Sequence, residues 1–121
     1  MTTCPFCEII TWQAPAQIVH DGAGSLGIVP LNPVTPGHVL FFPRYHVEDV
    51  TADRGLSAAT LFDLLVWLNR RRGEDDRYAS VNIITSVGAA ATQTVAHLHW
   101  HVVPRAEGDG LNLPWTGQAT S

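Results

Sequence analysis

Three histidines at alternate positions are the feature of this chain that most strongly suggests chemistry. They are His97, His99 and His101, with Leu98 and Trp100 between them. Successive side chains of a β-strand point to opposite faces, so this spacing predicts three imidazoles on one face and apolar groups on the other. Imidazole titrates near neutral pH and can act as a nucleophile, a proton donor or a metal ligand. The alternative is a half-buried strand whose histidines face solvent.

Two cysteines separated by two residues, Cys4 and Cys7, could supply half of a zinc site. Structural zinc takes four nitrogen or sulfur ligands, so the remaining two would have to be histidines. At a rise of ~3.3 Å per residue, His97 and His101 would lie roughly 13 Å apart on a flat strand. At most one end of the triplet can therefore join the cysteines. A plain turn with two buried thiols is the alternative that the spacing leaves open.

A loop of small residues, residues 88–95, precedes the histidines and contains Gln93 and Thr94. Small residues allow backbone amides and a short hydroxyl to approach an anion closely, as in loops that bind phosphate. A histidine beside such a loop is a candidate nucleophile if an acceptor holds its other ring nitrogen. A tight connection that binds no ligand is the alternative.

The elements that must position these groups follow from the hydrophobic period and the turn residues. Apolar residues at spacings of three and four predict one amphipathic helix over residues 57–72, which ends at Gly73. Short apolar runs bounded by Gly, Pro, Asn and Asp predict five strands, at residues 17–20, 26–29, 38–42, 80–85 and 97–103. The expected fold class is α+β, a single-domain antiparallel sheet covered by one main helix.

The composition narrows the partners and the domain organisation. A chain of 121 residues fits one domain, which we expect to span residues 1–106, followed by a C-terminal tail over residues 107–121. The net charge is -4, which argues against a nucleic-acid partner. No apolar stretch approaches membrane-spanning length, so no membrane partner is expected. The first residues do not resemble a signal peptide, and the expected location is the cytoplasm.

The triplet and its surroundings resemble the histidine triad hydrolases. Their hallmark is three histidines that alternate with single apolar residues, the third histidine being followed by two apolar residues. Residues 97–103 supply that hallmark as His-Leu-His-Trp-His-Val-Val. The resemblance extends over nearly the whole chain, through Cys-Pro-Phe-Cys at residues 4–7, Asn-Pro-Val-Thr-Pro-Gly-His at residues 32–38, Phe-Pro-Arg-Tyr-His at residues 42–46 and Gln-Thr-Val-Ala-His at residues 93–97.

The resemblance implies a hydrolase of nucleotide conjugates, either nucleoside phosphoramidates or dinucleoside polyphosphates. His99 would be the nucleophile that takes the nucleotidyl group, oriented by the backbone carbonyl of His97. His101 would contact the phosphate or help to protonate the leaving group. Thr94 would assist catalysis, and the substrate-binding residues would be Gln93, Asn32, Ser86 and Gly88.

The resemblance also implies a structural Zn²⁺ and a homodimer formed through the helix and a strand edge. The metal ligands of zinc-bearing relatives map to Cys4, Cys7, His46 and His97. The chain departs from the family where Pro30 stands in place of a ribose-binding residue, with Asn32 two positions away. Ser86 replaces the usual Asn, and Thr92 the usual Gly.

Two further readings of the sequence stay open. A catalytically weak module that binds nucleotide or phosphate would keep the same fold without turnover. A metal-dependent enzyme would instead use His97, His99 and His101 together as ligands.

Overall fold

The structure is a computed structural model that describes residues 4–118. One five-stranded antiparallel sheet has the order β1-β2-β3-β5-β4, and two α-helices pack against it. The strands are β1 (Gln17–Asp21), β2 (Ser25–Val29), β3 (Val39–Pro43), β4 (Val81–Ile84) and β5 (Trp100–Pro104). The helices are α1 (Pro5–Ile10) and α2 (Arg54–Arg72), and short 3₁₀ turns lie at Asp76–Ala79 and Ala89–Ala91. The expected α+β class and antiparallel sheet are confirmed.

Each face of the sheet buries its own apolar cluster. Helix α2 covers one face, where Leu64, Trp67 and Leu68 pack on Phe41 and Val102 from the sheet. On the other face Phe6 of α1 stacks on Phe42 with ring centroids 4.4 Å apart, in a cluster completed by Leu26, Ile28 and Leu40. Burying both faces explains why β3 is apolar throughout instead of alternating.

The helices differ from the sequence expectation at their N-termini. Helix α2 begins at Arg54 instead of residue 57, because the side chain of Asp53 accepts a hydrogen bond from the Leu56 N–H and caps the helix. Helix α1 was not predicted. Pro5 occupies its first turn, and the Cys4 sulfur accepts a hydrogen bond from the Cys7 N–H over 3.4 Å. The cysteine pair is therefore a helix start and not a plain turn.

The strand expected over residues 97–103 is shorter at its N-terminal end. Strand β5 begins only at Trp100, which pairs with Phe41 of β3. Before that point the Leu98 N–H donates to the carbonyl of Val47, in the loop after β3, over 2.7 Å. The segment from His97 to His99 therefore lies outside the hydrogen-bonded ladder of the sheet, although Leu98 still points into the core and is fully buried.

Within residues 4–118 no helix combines the length and apolar character needed to cross a bilayer.

Candidate active site and metal centre

Four potential metal ligands converge at the junction of α1 with the sheet. Cys4 and Cys7 come from the start of α1, His46 from the loop after β3, and His97 from the segment before β5. One ligand atom from each residue lies within 4.8 Å of all the others. Sequence spacing had left the two histidine partners open, and these are the two that the family resemblance implied.

The distances between these ligand atoms fit a tetrahedral metal. Bonds of about 2.0 Å to nitrogen and 2.3 Å to sulfur place two nitrogens about 3.3 Å apart, and a nitrogen and a sulfur about 3.5 Å apart. The Nδ1 atoms of His46 and His97 are 3.2 Å apart. Sulfur–nitrogen separations are 3.3 Å for Cys4 with His97, 3.4 Å for Cys7 with His46 and 3.6 Å for Cys7 with His97. The four residues are thus positioned to bind a metal ion.

The protonation of His97 suits metal binding, whereas the Cys7 thiol must first lose its proton. The Nε2 of His97 lies 2.9 Å from the carbonyl oxygen of Pro43, to which it donates, so the ring's lone pair is on Nδ1 and faces the cysteines. Burial lowers the pKa of His97 to about 4 and keeps this imidazole neutral. Burial and the neighbouring Cys4 raise the pKa of Cys7 to about 11. Metal binding would therefore have to release the Cys7 proton.

His99 is held in the orientation that a nucleophile needs. Its Nδ1 lies 2.8 Å from the carbonyl oxygen of His97, and since a carbonyl can only accept, Nδ1 carries the proton. The lone pair of the neutral ring is then on Nε2. The ring is 8% exposed and packs edge-on against Phe6 at 5.1 Å, while Thr85 Oγ1 donates to the His99 carbonyl over 2.7 Å. These contacts hold both the ring and the backbone of His99.

His101 is linked through a buried histidine to the backbone. The Val34 N–H donates to Nδ1 of His38 over 3.2 Å, so neutral His38 carries its proton on Nε2. That Nε2–H donates to Nδ1 of His101 over 3.0 Å, which leaves the His101 proton on Nε2. Burial, followed by the neighbouring His99 and His38, lowers the pKa of His101 to about 4. Burial also lowers the pKa of His38.

The loop before the histidines is organised by Gln93. Its Nε2 donates to the carbonyls of Glu48 and Val95 over 2.7 and 3.1 Å, and its Oε1 accepts from the Gly88 N–H over 2.8 Å. Thr92 has φ +67°, in the left-handed region that glycine adopts without steric cost. The Gln93 amide is therefore committed to protein groups, and the loop contains one strained residue.

A cavity of about 320 Å³ opens beside His99 and His101. Of the residues expected from the sequence to act in catalysis or binding, its lining includes His99, His101, Thr94 and Ser86. The structure does not place Asn32 there; its side chain is exposed on the loop after β2. Gln93 and Gly88 also lie outside the lining, as parts of the loop just described.

Nothing in the sequence indicated that His38 contacts His101, because a histidine that opens an apolar strand resembles an ordinary core residue. The pairing of β3 with β5 sets Leu40 opposite His101, and this brings the ring of His38 to 5.2 Å from that of His101.

The alternative in which His97, His99 and His101 jointly bind one metal is not supported. Their Nδ1 atoms face the cysteines, a backbone carbonyl and His38, respectively.

The fold and site define a small α+β protein in which two imidazoles, held in set tautomers, line one cavity next to two cysteines and two histidines positioned to bind a metal. The HIT domain matches residues 11–108, and the chain belongs to the histidine triad (HIT) family. An uncharacterized HIT-like protein of Mycobacterium tuberculosis is 34% identical over 110 residues, which cover 91% of this chain and 76% of the relative.

Two further relatives bear on the site. A zinc-bound histidine triad family protein from Mycobacterium smegmatis superposes with a TM-score of 0.80 at 36% identity, over 92% of this chain and 81% of that chain. An adenosine 5'-monophosphoramidase of Candida albicans is 27% identical over 126 residues, which cover 98% of this chain and 81% of the relative.

Proposed function

We propose that this protein hydrolyses nucleotide conjugates through a covalent nucleotidyl-His99 intermediate, with nucleoside phosphoramidates preferred over dinucleoside polyphosphates. One observation carries the proposal. The His99 Nδ1–H is bound to the His97 carbonyl over 2.8 Å, which leaves the lone pair on Nε2, and His99 and His101 line the same cavity. A neutral imidazole held in this way can attack phosphorus.

The reaction then proceeds in two displacements. In the first, the lone pair of His99 Nε2 forms a bond to the α-phosphorus, and the bond from phosphorus to the leaving group breaks. The leaving group takes that electron pair and one proton. In the second, water attacks the same phosphorus and gives up one proton, the His99–phosphorus bond breaks, and a nucleoside monophosphate is released.

His101 acts on the leaving group in the proposed mechanism. Its Nδ1 accepts from His38, so its Nε2–H is the group that can donate a hydrogen bond to the leaving atom. The proton that the leaving group takes in the first step comes from solvent, and the second step returns one proton to solvent. Thr94 and Ser86 line the same cavity and supply hydroxyls for the phosphoryl oxygens. Gln93 contributes by holding the loop in place.

The metal centre is proposed to hold a structural Zn²⁺. Cys4, Cys7, His46 and His97 would fill all four positions of a tetrahedral ion, so none would be left for substrate. The ion would join α1 to the segment that carries His97, whose carbonyl orients His99. The M. smegmatis relative, which is zinc-bound, supports this assignment. Reduced thiols are required, which favours the cytoplasm.

A homodimer is the proposed assembly. Helix α2 exposes Phe62, Leu65 and Val66, which are 67%, 40% and 46% accessible, and β4 forms an open edge of the sheet. A second copy of the chain would cover this helix face and the edge. Light scattering on the wild type and on Phe62→Glu tests the proposal, with a dimer expected for the first and a monomer for the second.

The experiment that tests the function is intact-protein mass spectrometry after rapid quench with an adenosine phosphoramidate. We expect a mass increase of one adenylyl group that maps to His99 and forms more slowly in His101→Ala. His99→Asn should form no adduct and lose at least about 10³-fold in kcat, with unchanged zinc content and circular dichroism. Full activity of His99→Asn would refute the mechanism.

A catalytically weak binding module is the second candidate, favoured by the strained Thr92 and by the solvent-exposed Asn32. Saturable binding of adenosine monophosphate, with neither adduct nor product after hours of incubation, would support this candidate against the hydrolase.

A further inference from the structure

The cavity beside His99 and His101 has a second part that the proposed chemistry does not use. Besides the reactive groups, its lining includes five aliphatic side chains from four separate stretches of the chain. Leu111 and Leu113 come from the segment after β5, and the others are Val34, Ile84 and Val103. A wall of this kind favours an apolar group, since moving CH₂ groups out of water onto an apolar surface is favourable.

Arg105 is the one arginine in the lining among residues 4–118, and its charge is already paired. Its Nε and Nη2 donate to the two carboxylate oxygens of Asp109 over 2.8 and 3.0 Å. Its Nη1 donates to Asn82 Oδ1 over 2.7 Å, and Nη2 donates also to the Leu111 carbonyl over 2.9 Å. No other arginine and no carboxylate lines the cavity within residues 4–118. A polyphosphate leaving group would therefore meet no free positive charge there.

The ion pair between Arg105 and Asp109 also holds the segment that carries Leu111 against the cavity. Asp109 also accepts from the backbone N–H groups of Ala106 and Leu111, over 3.1 and 3.0 Å. One carboxylate thus ties together the turn between β5 and Leu111, and the pair with Arg105 holds the pKa of Asp109 well below its usual range. A wall held in this way loses little conformational freedom when a ligand binds.

We propose that Leu111, Leu113 and Ile84 form a subsite for the leaving group of the substrate, and that this leaving group is an amine with an uncharged, apolar body. The inference rests on the proposed function, because His101, the hydrogen-bond donor to the leaving atom, lines the same cavity. A volume of about 320 Å³ is at the lower end of the range for small-molecule sites, which suits a small alkyl or aryl group. Arg105 and Asp109 act as positioning residues for this subsite.

The test compares adenosine 5'-phosphoramidates that share the nucleotidyl group and differ in the amine. n-Butylamine and 4-aminobutanoate have the same chain length and similar nitrogen basicity but differ in terminal charge, and ethylamine is the short apolar reference. For the wild type we expect kcat/KM about 10-fold or more higher for the butylamine compound than for either of the others. Diadenosine tetraphosphate should be a poorer substrate than the butylamine compound.

Variants locate the preference in the subsite. Leu111→Ser and Leu113→Ser should reduce the advantage of butylamine over 4-aminobutanoate at least 5-fold, whereas Leu111→Met, which keeps an apolar body, should retain it. Asp109→Asn should weaken the preference through KM, with kcat for the ethylamine compound within about 2-fold of wild type. Asp75→Asn is the matched control, since Asp75 makes a similar pair with Arg77 outside this cavity.

The outcomes separate the two proposals. Equal kcat/KM across the amines, or an unchanged preference in both Leu→Ser variants, overturns the subsite while an adduct on His99 still supports the hydrolase. If no adduct and no product form with any member of the series, the proposed function fails and the subsite with it.

Discussion

The Nε2–H of His38 donates to Nδ1 of His101 over 3.0 Å, and this contact decides which nitrogen of His101 carries a proton. The direction of the bond follows from the Val34 N–H, which can only donate and occupies Nδ1 of His38. One backbone amide thus sets the tautomers of two successive imidazoles. The His97 carbonyl fixes the tautomer of His99 in a similar way, by accepting from its Nδ1–H. The free ring nitrogen of His99 is therefore an acceptor, whereas that of His101 is a donor.

Replacing His38 should therefore impair catalysis through His101. We expect His38→Phe to lower kcat about 10- to 100-fold with a smaller effect on KM, because His101 can then adopt either tautomer. His38→Gln should recover part of the loss, since its amide can donate to His101. Nitrogen-15 NMR of the His101 ring reads the tautomer directly. An unchanged tautomer in His38→Phe would show that His38 only fills space.

Metal removal should destabilise the protein and disturb α1. At a free zinc concentration about 100-fold above Kd, a site present only in the folded state adds about 2.7 kcal/mol, which corresponds to a decrease in Tm of roughly 10 °C on chelation. We expect Cys4→Ser and His46→Asn to purify with well under one zinc per chain. His20→Asn is the matched control, since His20 packs on Phe41 outside the centre. Full zinc content in both ligand variants would refute the Cys₂His₂ assignment.

The free energy of unfolding should decrease as the pH is lowered, in a window set by the pKa of His101. In the folded protein its pKa is about 4, against an unfolded value of about 6.5, so between these values the unfolded chain binds more protons. The stabilisation by neutral His101 is complete above pH 6.5 and is lost as the pH falls through 4. At pH 5 the loss amounts to about 2 kcal/mol relative to pH 8.

Urea denaturation of the wild type and His101→Asn at pH 8, 6 and 5 checks this dependence, with both proteins at the same zinc loading. The difference in free energy of unfolding between them should shrink as the pH falls. His38 and His99, whose rings face His101, are present in both proteins, so the comparison reports the change at position 101. A constant difference across the three pH values would contradict the prediction.

Replacing Thr92 with glycine should stabilise the protein. A β-branched residue in the left-handed region costs about 1–2 kcal/mol, of which the larger backbone entropy of glycine cancels a part. We expect Thr92→Gly to raise the free energy of unfolding by about 0.5–1 kcal/mol and to tighten phosphate binding to the loop. Ala91→Gly is the control, because Ala91 lies in the preceding 3₁₀ turn and gains nothing from glycine. Urea denaturation and phosphate titration of both variants provide the measurement.

The sequence by itself determined the sheet, its main helix and the candidate nucleophile. Period and turn residues located all five strands to within a few residues, since core-facing positions must repeat with the geometry of each element. The predicted alternation, with histidines on one face and apolar residues on the other, is confirmed in part. Leu98 is fully buried, even though it lies before the first residue of β5.

Only the tertiary structure decided which groups act together. The partners of Cys4 and Cys7 lie 39 to 93 residues away in the chain, and that of His101 lies 63 residues away. No local spacing encodes such contacts, because they depend on the pairing of β3 with β5 and on the docking of α1. The Asp109 carboxylate that shapes the wall of the cavity lies in the polar, glycine-rich stretch that the sequence assigned to a C-terminal tail outside the domain. Its order comes from hydrogen bonds to Arg105, which a hydrophobic pattern cannot reveal.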